Sequence, residues 1–365
     1  MLKNPTSFNN TLAGNLVQIW SERYVLDLSA IDSQDKQVTI SELVKISSTE
    51  GRKQTVAHLK RLGQINCEAA GMKTDILFSY IPNVVNLTEA ERLAKSAWQV
   101  YEKGLEVYEQ QSPIFASLTT DSSQLVDSIY LSSTVLKQQP IPVLNQSAIE
   151  QLVIAIEPVI QQLRQQLLSA KDSRTLGFMS TQFHLSTELI LKRLTRPEQI
   201  LLKPYFEFIE EQVCIPLQQI CAAAGNYYSG SPTLKMVEQL LSKSRDIANS
   251  VYQRAVKLYP NHRSLRGTLN TPGVMESSIR DIQMLQAYIL LCVLEGSMVA
   301  VEQQLIPLSI LVFPSVSVTW KLVEQGLQLL ADEMMSHINP VQQKLLLPYT
   351  QAMQQLFSHI EKKAA

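Results

Sequence analysis

From Thr88 to the end of the chain, apolar residues recur at spacings of three and four with only short interruptions. That is the period of a helix face rather than of a strand, so the sequence predicts a mainly α protein. The first such stretch, 88–111, opens on Leu87-Thr88-Glu89-Ala90-Glu91 and aligns Leu93, Ala97, Val100, Tyr101, Leu105 and Tyr108. A second helix is expected from Ser147 to about Ala170, with Pro158 inside it as a kink. Residues 185–224 read as two amphipathic helices broken near Arg196-Pro197. Ser231-Pro232 opens another helix that stops at Tyr259-Pro260, and after a polar loop a further helix runs from Ser277 to Gly296. Between these stretches, residues 112–147 are rich in Ser, Thr and Pro, and the run 138–142 is the expected interdomain connection.

At 365 residues the chain is long enough for two domains or more. With 45% hydrophobic and 18% charged residues it can bury a large core, which excludes global disorder. A formal net charge of −1 marks neither a nucleic-acid protein nor a membrane-surface protein as a whole. Cys67, Cys214, Cys221 and Cys292 match no zinc spacing, and reduced, buried thiols are expected. Cys214 and Cys221 would share one side of a helix if it continued through Pro216. The N-terminus lacks a basic segment followed by an apolar run, and the most apolar stretch, 289–294, is far shorter than the roughly 20 residues of a membrane span. A cytoplasmic protein is the expectation.

Residues 1–82 read differently. Tyr24 to Leu28 is a candidate strand, and Thr39 with Glu42 has the spacing of a helix capping box. A helix over 51–62 would be followed by strands at 65–69 and 75–81, joined through Gly71-Met72-Lys73-Thr74. Helix, helix, hairpin is the order of a winged helix, so a small α+β segment is expected here. Arg52, Lys53, Lys60 and Arg61 would form its basic face, with Lys45 and Lys73 beside them, and are the candidate nucleic-acid residues. Glu42, Glu50 and Glu68 dilute that face, and a solvated charged surface is the plainer reading.

No catalytic constellation is present, and a non-enzymatic protein is expected. There is no phosphate-cradling glycine loop and no nucleophile elbow. His58, His184, His262 and His337 are too dispersed to predict a metal site. Glu207, Glu210 and Glu211 lack the Glu-x-x-His partner of a di-iron helix and read as a charged helix face. His184 lies in a low-charge, aromatic stretch, but nothing else marks a haem pocket around it.

The region from 231 to 337 carries a more specific pattern. A helix ends at Tyr259-Pro260, a loop follows, and the next helix contains Ser278-Ile279-Arg280-Asp281. Cys292 lies twelve residues after Arg280, and Gly296 four further on. Glu302, Leu305, Phe313 and Trp320 continue the match. The last 130 to 170 residues thus resemble the phycobiliprotein family of cyanobacteria and red algae. The resemblance implies a globin-like helical domain and a linear tetrapyrrole held by a thioether to the cysteine two positions before the Arg. This chain has Ser278 there, which cannot form that bond. The resemblance also implies that Arg280 pairs with a bilin propionate and that Asp281 accepts from pyrrole N–H groups. As residues in a first helical turn, the two would alternatively be structural, Asp281 through the helix dipole.

The domain reading is therefore a small α+β segment over 1–82, a helical connector over 83–140, a helical region over 141–230 and a phycobiliprotein-like domain over 231–365. The resemblance implies a cyanobacterial, phycobilisome-related protein of photosynthesis, and Ser278 in place of the anchoring cysteine makes no cofactor the expectation. It would act through other proteins, phycobiliproteins or antenna assembly factors, or as a signalling domain. Helical surface upstream of residue 231 would provide the contact, including a homo-oligomeric one. The alternatives are a sensor or chaperone binding bilin without a covalent bond at Arg280 and Asp281, and a DNA-binding regulator acting through the N-terminal segment.

Overall fold

The computed structural model describes residues 11–26, 38–77, 79, 87–112, 141–168 and 175–364. They are almost entirely helical, as the apolar period predicts, with four two-residue strands among them. In chain order these are α1 (Thr11–Ser21), a 3-10 turn, β1 (Val25–Leu26), α2 (Ile40–Ser47), α3 (Thr49–Leu77) and α4 (Leu87–Gln110). Then come β2 (Ile141–Pro142), α5 (Gln146–Leu168), α6 (Thr175–Leu191), α7 (Arg196–Cys214) and α8 (Leu217–Ala224). The rest are α9 (Pro232–Ser242), α10 (Ser244–Leu258), β3 (Arg263–Ser264), β4 (Gly267–Thr268), α11 (Pro272–Glu295), a π-helical turn (Val301–Leu305), α12 (Ile306–Ser315), α13 (Trp320–Ser336) and α14 (Pro340–Ala364).

The chain divides into two compact units. A middle unit comprises Ser21–Ala170 and Phe178–Glu210, and a terminal unit comprises Met1–Trp20, Lys171–Gly177 and Glu211–Ala365. In the middle unit, α2 starts as its sequence demands. Thr39 accepts from the Glu42 amide while the Glu42 carboxylate accepts from the Thr39 amide, a complete capping box. The expected hairpin of a winged helix is not formed. Thr49–Leu77 is one continuous helix, and residues 65–69 and 75–77 belong to it; residues 78 and 80–82 lie outside the described set. This helix packs along α4. Arg52 on α3 reaches the Tyr108 carbonyl, Gly63 lies against Trp98, and Gly71 against Ala90. As numbers rise on α3 they fall on α4, so the two helices run antiparallel. At Gly63 a Cβ would overlap the indole ring of Trp98, so the close approach requires glycine there.

Tyr101 on α4 is packed between Phe183 and Phe206, with ring centroids 5.5 and 5.0 Å away. Its hydroxyl donates to the Phe183 carbonyl or pairs with the Thr187 hydroxyl, both at 2.8 Å. α5 continues through Pro158. The candidate strand at Tyr24 to Leu28 is realised at Val25–Leu26, which pairs antiparallel with Ile141–Pro142. That pairing also gives the last two residues of the 138–142 run a place in the fold; the remainder of the run lies outside the described residues.

The terminal unit is built around α11, which packs on α8, α9, α10, α13 and α14. Residues 283–294 of α11 are buried without interruption, which explains why its sequence is apolar all round rather than on one stripe. Gln283 and Gln286 are the polar exceptions, and the Gln286 amide donates to the Leu240 carbonyl at 3.1 Å. No helix among the described residues is long and apolar enough to cross a membrane. α1 belongs to this unit through buried Leu16, Val17 and Trp20, and the Trp20 indole donates to the Glu211 carboxylate at 3.1 Å. Asn15 donates to Glu238. The helix expected from 231 to 259 is interrupted at Lys243, so α9 and α10 are separate. Likewise the helix does not continue through Pro216: α7 ends at Cys214 and α8 begins at Leu217.

Candidate functional site

α10 ends at Leu258, with Tyr259 as its cap, and Pro260 prevents continuation. The loop that follows folds into a tight hairpin, β3 and β4, with Arg263 opposite Thr268 and Ser264 opposite Gly267. Ser264 Oγ donates to the Gly267 carbonyl at 3.1 Å and accepts from the Arg266 amide at 3.3 Å. Tyr252 pins the exit of the hairpin by donating its hydroxyl to the Leu269 carbonyl at 2.6 Å, and the Leu265 amide donates to the Val316 carbonyl at 3.2 Å. This fixed loop brings Arg266 to the flank of α11, where its guanidinium would lie 3.4 Å from a Cβ at Gly273.

α11 begins at Pro272, with Thr271 as its cap, five residues earlier than expected. Arg280 and Asp281 therefore sit in its third turn, not its first. The helix dipole acts within the first turn, so it does not account for Asp281. Ser278, Arg280 and Asp281 are all half-buried. Burial pushes the Asp281 carboxyl up to about 6, while Arg280 and then Arg266 act in the opposite direction. No hydrogen bond reaches that carboxyl from the described residues, so its acceptors are available to N–H groups of a ligand. His262 precedes the hairpin. Its Nε2 is buried without a hydrogen-bond partner, and desolvation lowers its pKa below the ordinary 6.5, keeping the ring neutral at pH 7.

Sequence reasoning did not single out Arg266 for this cluster, because only the hairpin fold brings it to α11. The donor set suits a tetrapyrrole bound without a thioether: guanidinium groups for carboxylates, and a free carboxyl for clustered N–H donors. Ser278 offers no thiolate for covalent attachment.

The candidate nucleic-acid residues are not one face. Arg52 is fully buried, with Nε donating to the Ser47 carbonyl at 3.0 Å and Nη1 to the Tyr108 carbonyl at 2.9 Å. Its guanidinium lies 4.4 Å over the Tyr108 ring, so it is a packing and hydrogen-bonding group of the middle unit and is withheld from any phosphate. Lys53, Lys60 and Arg61 are exposed. The same helix also exposes Ile65, Met72 and Ile76, which gives its outer side an apolar as well as a basic character.

Among the described residues no group of three His, Cys, Asp or Glu side chains could hold a metal ion. Glu207 lies 3.5 Å from Lys203, and Glu210 lies 3.3 Å from His184 Nδ1. All four cysteines are free. Cys67 and Cys292 are buried, and burial pushes their thiols up to about 12 and about 11, which keeps them protonated and unreactive.

Residues 210–360 match the family model described as "Phycobilisome protein", a globin-like family. The match takes in the end of α7 and everything from α8 through most of α14, including the hairpin and the Arg280–Asp281 turn. No curated protein and no solved structure matches the chain. The C-terminal region thus carries a phycobilisome protein domain.

Proposed function

We propose that the protein works by contact with other proteins of a phycobilisome, carries no covalently bound bilin, and serves in assembly or regulation of the antenna or as a signalling domain. The proposal places it in the cytoplasm of a cyanobacterium and makes phycobiliproteins or their assembly factors its partners, with a homo-oligomer as the form that self-contact would take. One observation carries it: a phycobilisome-type domain in which Ser278 stands where the resemblance puts the anchoring cysteine. Sedimentation of the purified protein with intact phycobilisomes tests the proposal. Migration with the antenna particles or their subassemblies is expected, and retention at the top of the gradient with all of them would overturn it.

A second reading has its own support. Asp281 is half-buried, outside the reach of the helix dipole, and flanked by Arg266 and Arg280. Titratable groups held in such surroundings are candidates for ligand contact. The second reading is a sensor or chaperone that takes a bilin without a thioether. The chain's own contribution would be to pair Arg280 and Arg266 with propionates and to accept N–H bonds at Asp281. Adding biliverdin or phycocyanobilin to the purified protein decides between the two. A red-shifted band lost in Arg280→Ala and Asp281→Ala establishes the second reading. An unchanged pigment spectrum at saturation removes it. DNA binding would now have to do without Arg52, and no observation favours it.

A further inference from the structure

A second polar recess lies in the terminal unit, where α8 meets the C-terminal end of α11. It is an open groove of about 660 Å³. Ala222 and Ala223 are too small to fill it, and the side chains of Gln219, Asn226, Tyr227 and Glu295 line it. Glu295 is the last residue of α11, at the negative end of the helix dipole. A carboxylate is unfavourable at that position, so helix stability does not explain it. Among the described residues no cation pairs with it. Partial desolvation pushes its carboxyl above the usual range.

The surrounding acceptors are held in place. Gly296 adopts a left-handed conformation, φ 66°, and closes α11 with its amide donating to the Cys292 carbonyl. The Tyr227 hydroxyl donates to the Leu294 carbonyl at 3.0 Å, which fixes the ring along the groove. The Gln219 and Gln304 amides exchange hydrogen bonds at 3.3 and 3.5 Å, and Tyr288 donates to the Gln304 oxygen at 3.2 Å. The recess therefore joins a carboxylate, side-chain amide oxygens, a helix's negative end and an aromatic face, with room between them.

The geometry points to a docking groove for a guanidinium side chain, an arginine supplied by a protein partner. A planar fork of five donors satisfies a carboxylate and neighbouring amide oxygens together, and it stacks on a tyrosine ring. An ammonium point charge uses the carboxylate but not the planar array. The groove deepens the partner reading above and rests on it only for what carries the arginine.

The test is a titration of the full chain with Ac-Ala-Arg-Ala-NH2, followed by amide chemical shifts, beside the lysine and citrulline versions of the same peptide. The arginine peptide is expected to move the Glu295, Asn226 and Gln219 signals with a Kd on the order of millimolar, as suits one side chain. Glu295→Gln should weaken it about tenfold. Asp246→Asn, the same charge change at an exposed site on α10, should leave it unchanged. Ala222→Leu, which fills the groove, should abolish it. No shifts at these residues, equal shifts from lysine or citrulline, or an undiminished response in Glu295→Gln would overturn the assignment. Because the peptide replaces the partner, failure here leaves the sedimentation result intact, and failure of sedimentation leaves the groove's chemistry intact.

Discussion

Arg52 in the middle unit and Asp281 in the terminal unit are both charged groups drawn away from water, and their surroundings treat them in opposite ways. Arg52 has two backbone carbonyls and the face of Tyr108 to replace its hydration. The Gln182 amide in the same unit likewise donates to the Cys67 carbonyl at 2.9 Å and to Ser186 at 3.1 Å. Asp281 is half-buried and gains no hydrogen bond from the described residues, while the neighbouring Arg280 and Arg266 guanidiniums offset part of the cost. Buried polar groups that gain hydrogen bonds help to fix one structure, even though Arg52 Nη2 has none among the described residues, whereas a titratable group left without any is a candidate for ligand contact. The comparison thus sets a cation built into the packing of the middle unit against a carboxyl in the terminal unit whose acceptors the described residues leave unused.

The largest effect expected from the comparison is at Arg52. Replacing it with alanine removes a buried cation, takes a donor from the Ser47 carbonyl and leaves the Tyr108 carbonyl with the long Gln111 amide bond, a loss of about 3–5 kcal/mol. Urea denaturation should show it, and hydrogen exchange should place the loss in α2, α3 and α4. A loss under roughly 1 kcal/mol would mean that Arg52 is not the keystone its burial implies.

Asp281→Asn should act in the opposite direction. The folded-state carboxyl is raised from 3.8 to about 6, so the native state holds its proton more tightly than the unfolded chain does. Ionised Asp281 therefore costs stability, and the cost grows as pH rises from about 4 through about 6. Two pK units correspond to about 3 kcal/mol, and partial solvent access lowers that to about 1–2 kcal/mol gained by the asparagine variant at pH 7. The gain should vanish near pH 4. Depressed protonation of His262 works against the fold in acid, so the difference between the two proteins, not either curve alone, is the readout. A destabilised variant at pH 7 would place Asp281 with Arg52 as a structural group and break the comparison.

The smallest effect belongs to an ordinary polar contact in the terminal unit. Ser231 caps α9 by accepting from the Leu234 amide at 3.3 Å. Ser231→Ala should cost about 1 kcal/mol. This loss, compared with the gain at Asp281, would show that the unit is not indifferent to its polar groups but tolerant at one of them.

Where the signal was local, the sequence was legible. The Thr39–Glu42 box, the Ser231-Pro232 helix start and the apolar length of α11 all read directly, because caps and periodicity act within a few residues. The N-terminal hairpin was misread because Gly63, Gly71 and Thr74 look like breakers in isolation. In the fold Gly63 makes room for Trp98, and Thr74 returns its hydroxyl to the Ala70 carbonyl at 2.9 Å within the same helix. Those reasons lie on another helix or inside the turn, beyond what spacing reveals. Arg280 and Asp281 were visible as a pair. Their place in the third turn, and the arrival of Arg266, depend on where α11 starts and how the hairpin closes.

The terminal unit takes its first helix from the beginning of the chain and most of the others from beyond residue 210. During synthesis α1 leaves the ribosome early, yet Glu211 and Glu238, which bond Trp20 and Asn15, are made only about 190 and 220 residues after them. At ordinary elongation rates of about 5–20 residues per second, that is a wait of roughly 10–40 s, long enough for the middle unit to fold first. A fragment beginning at residue 210 would contain the whole family match and still lack the cover that Leu16, Val17 and Trp20 provide. The stretch that matches the family is therefore smaller than the compact unit it folds into.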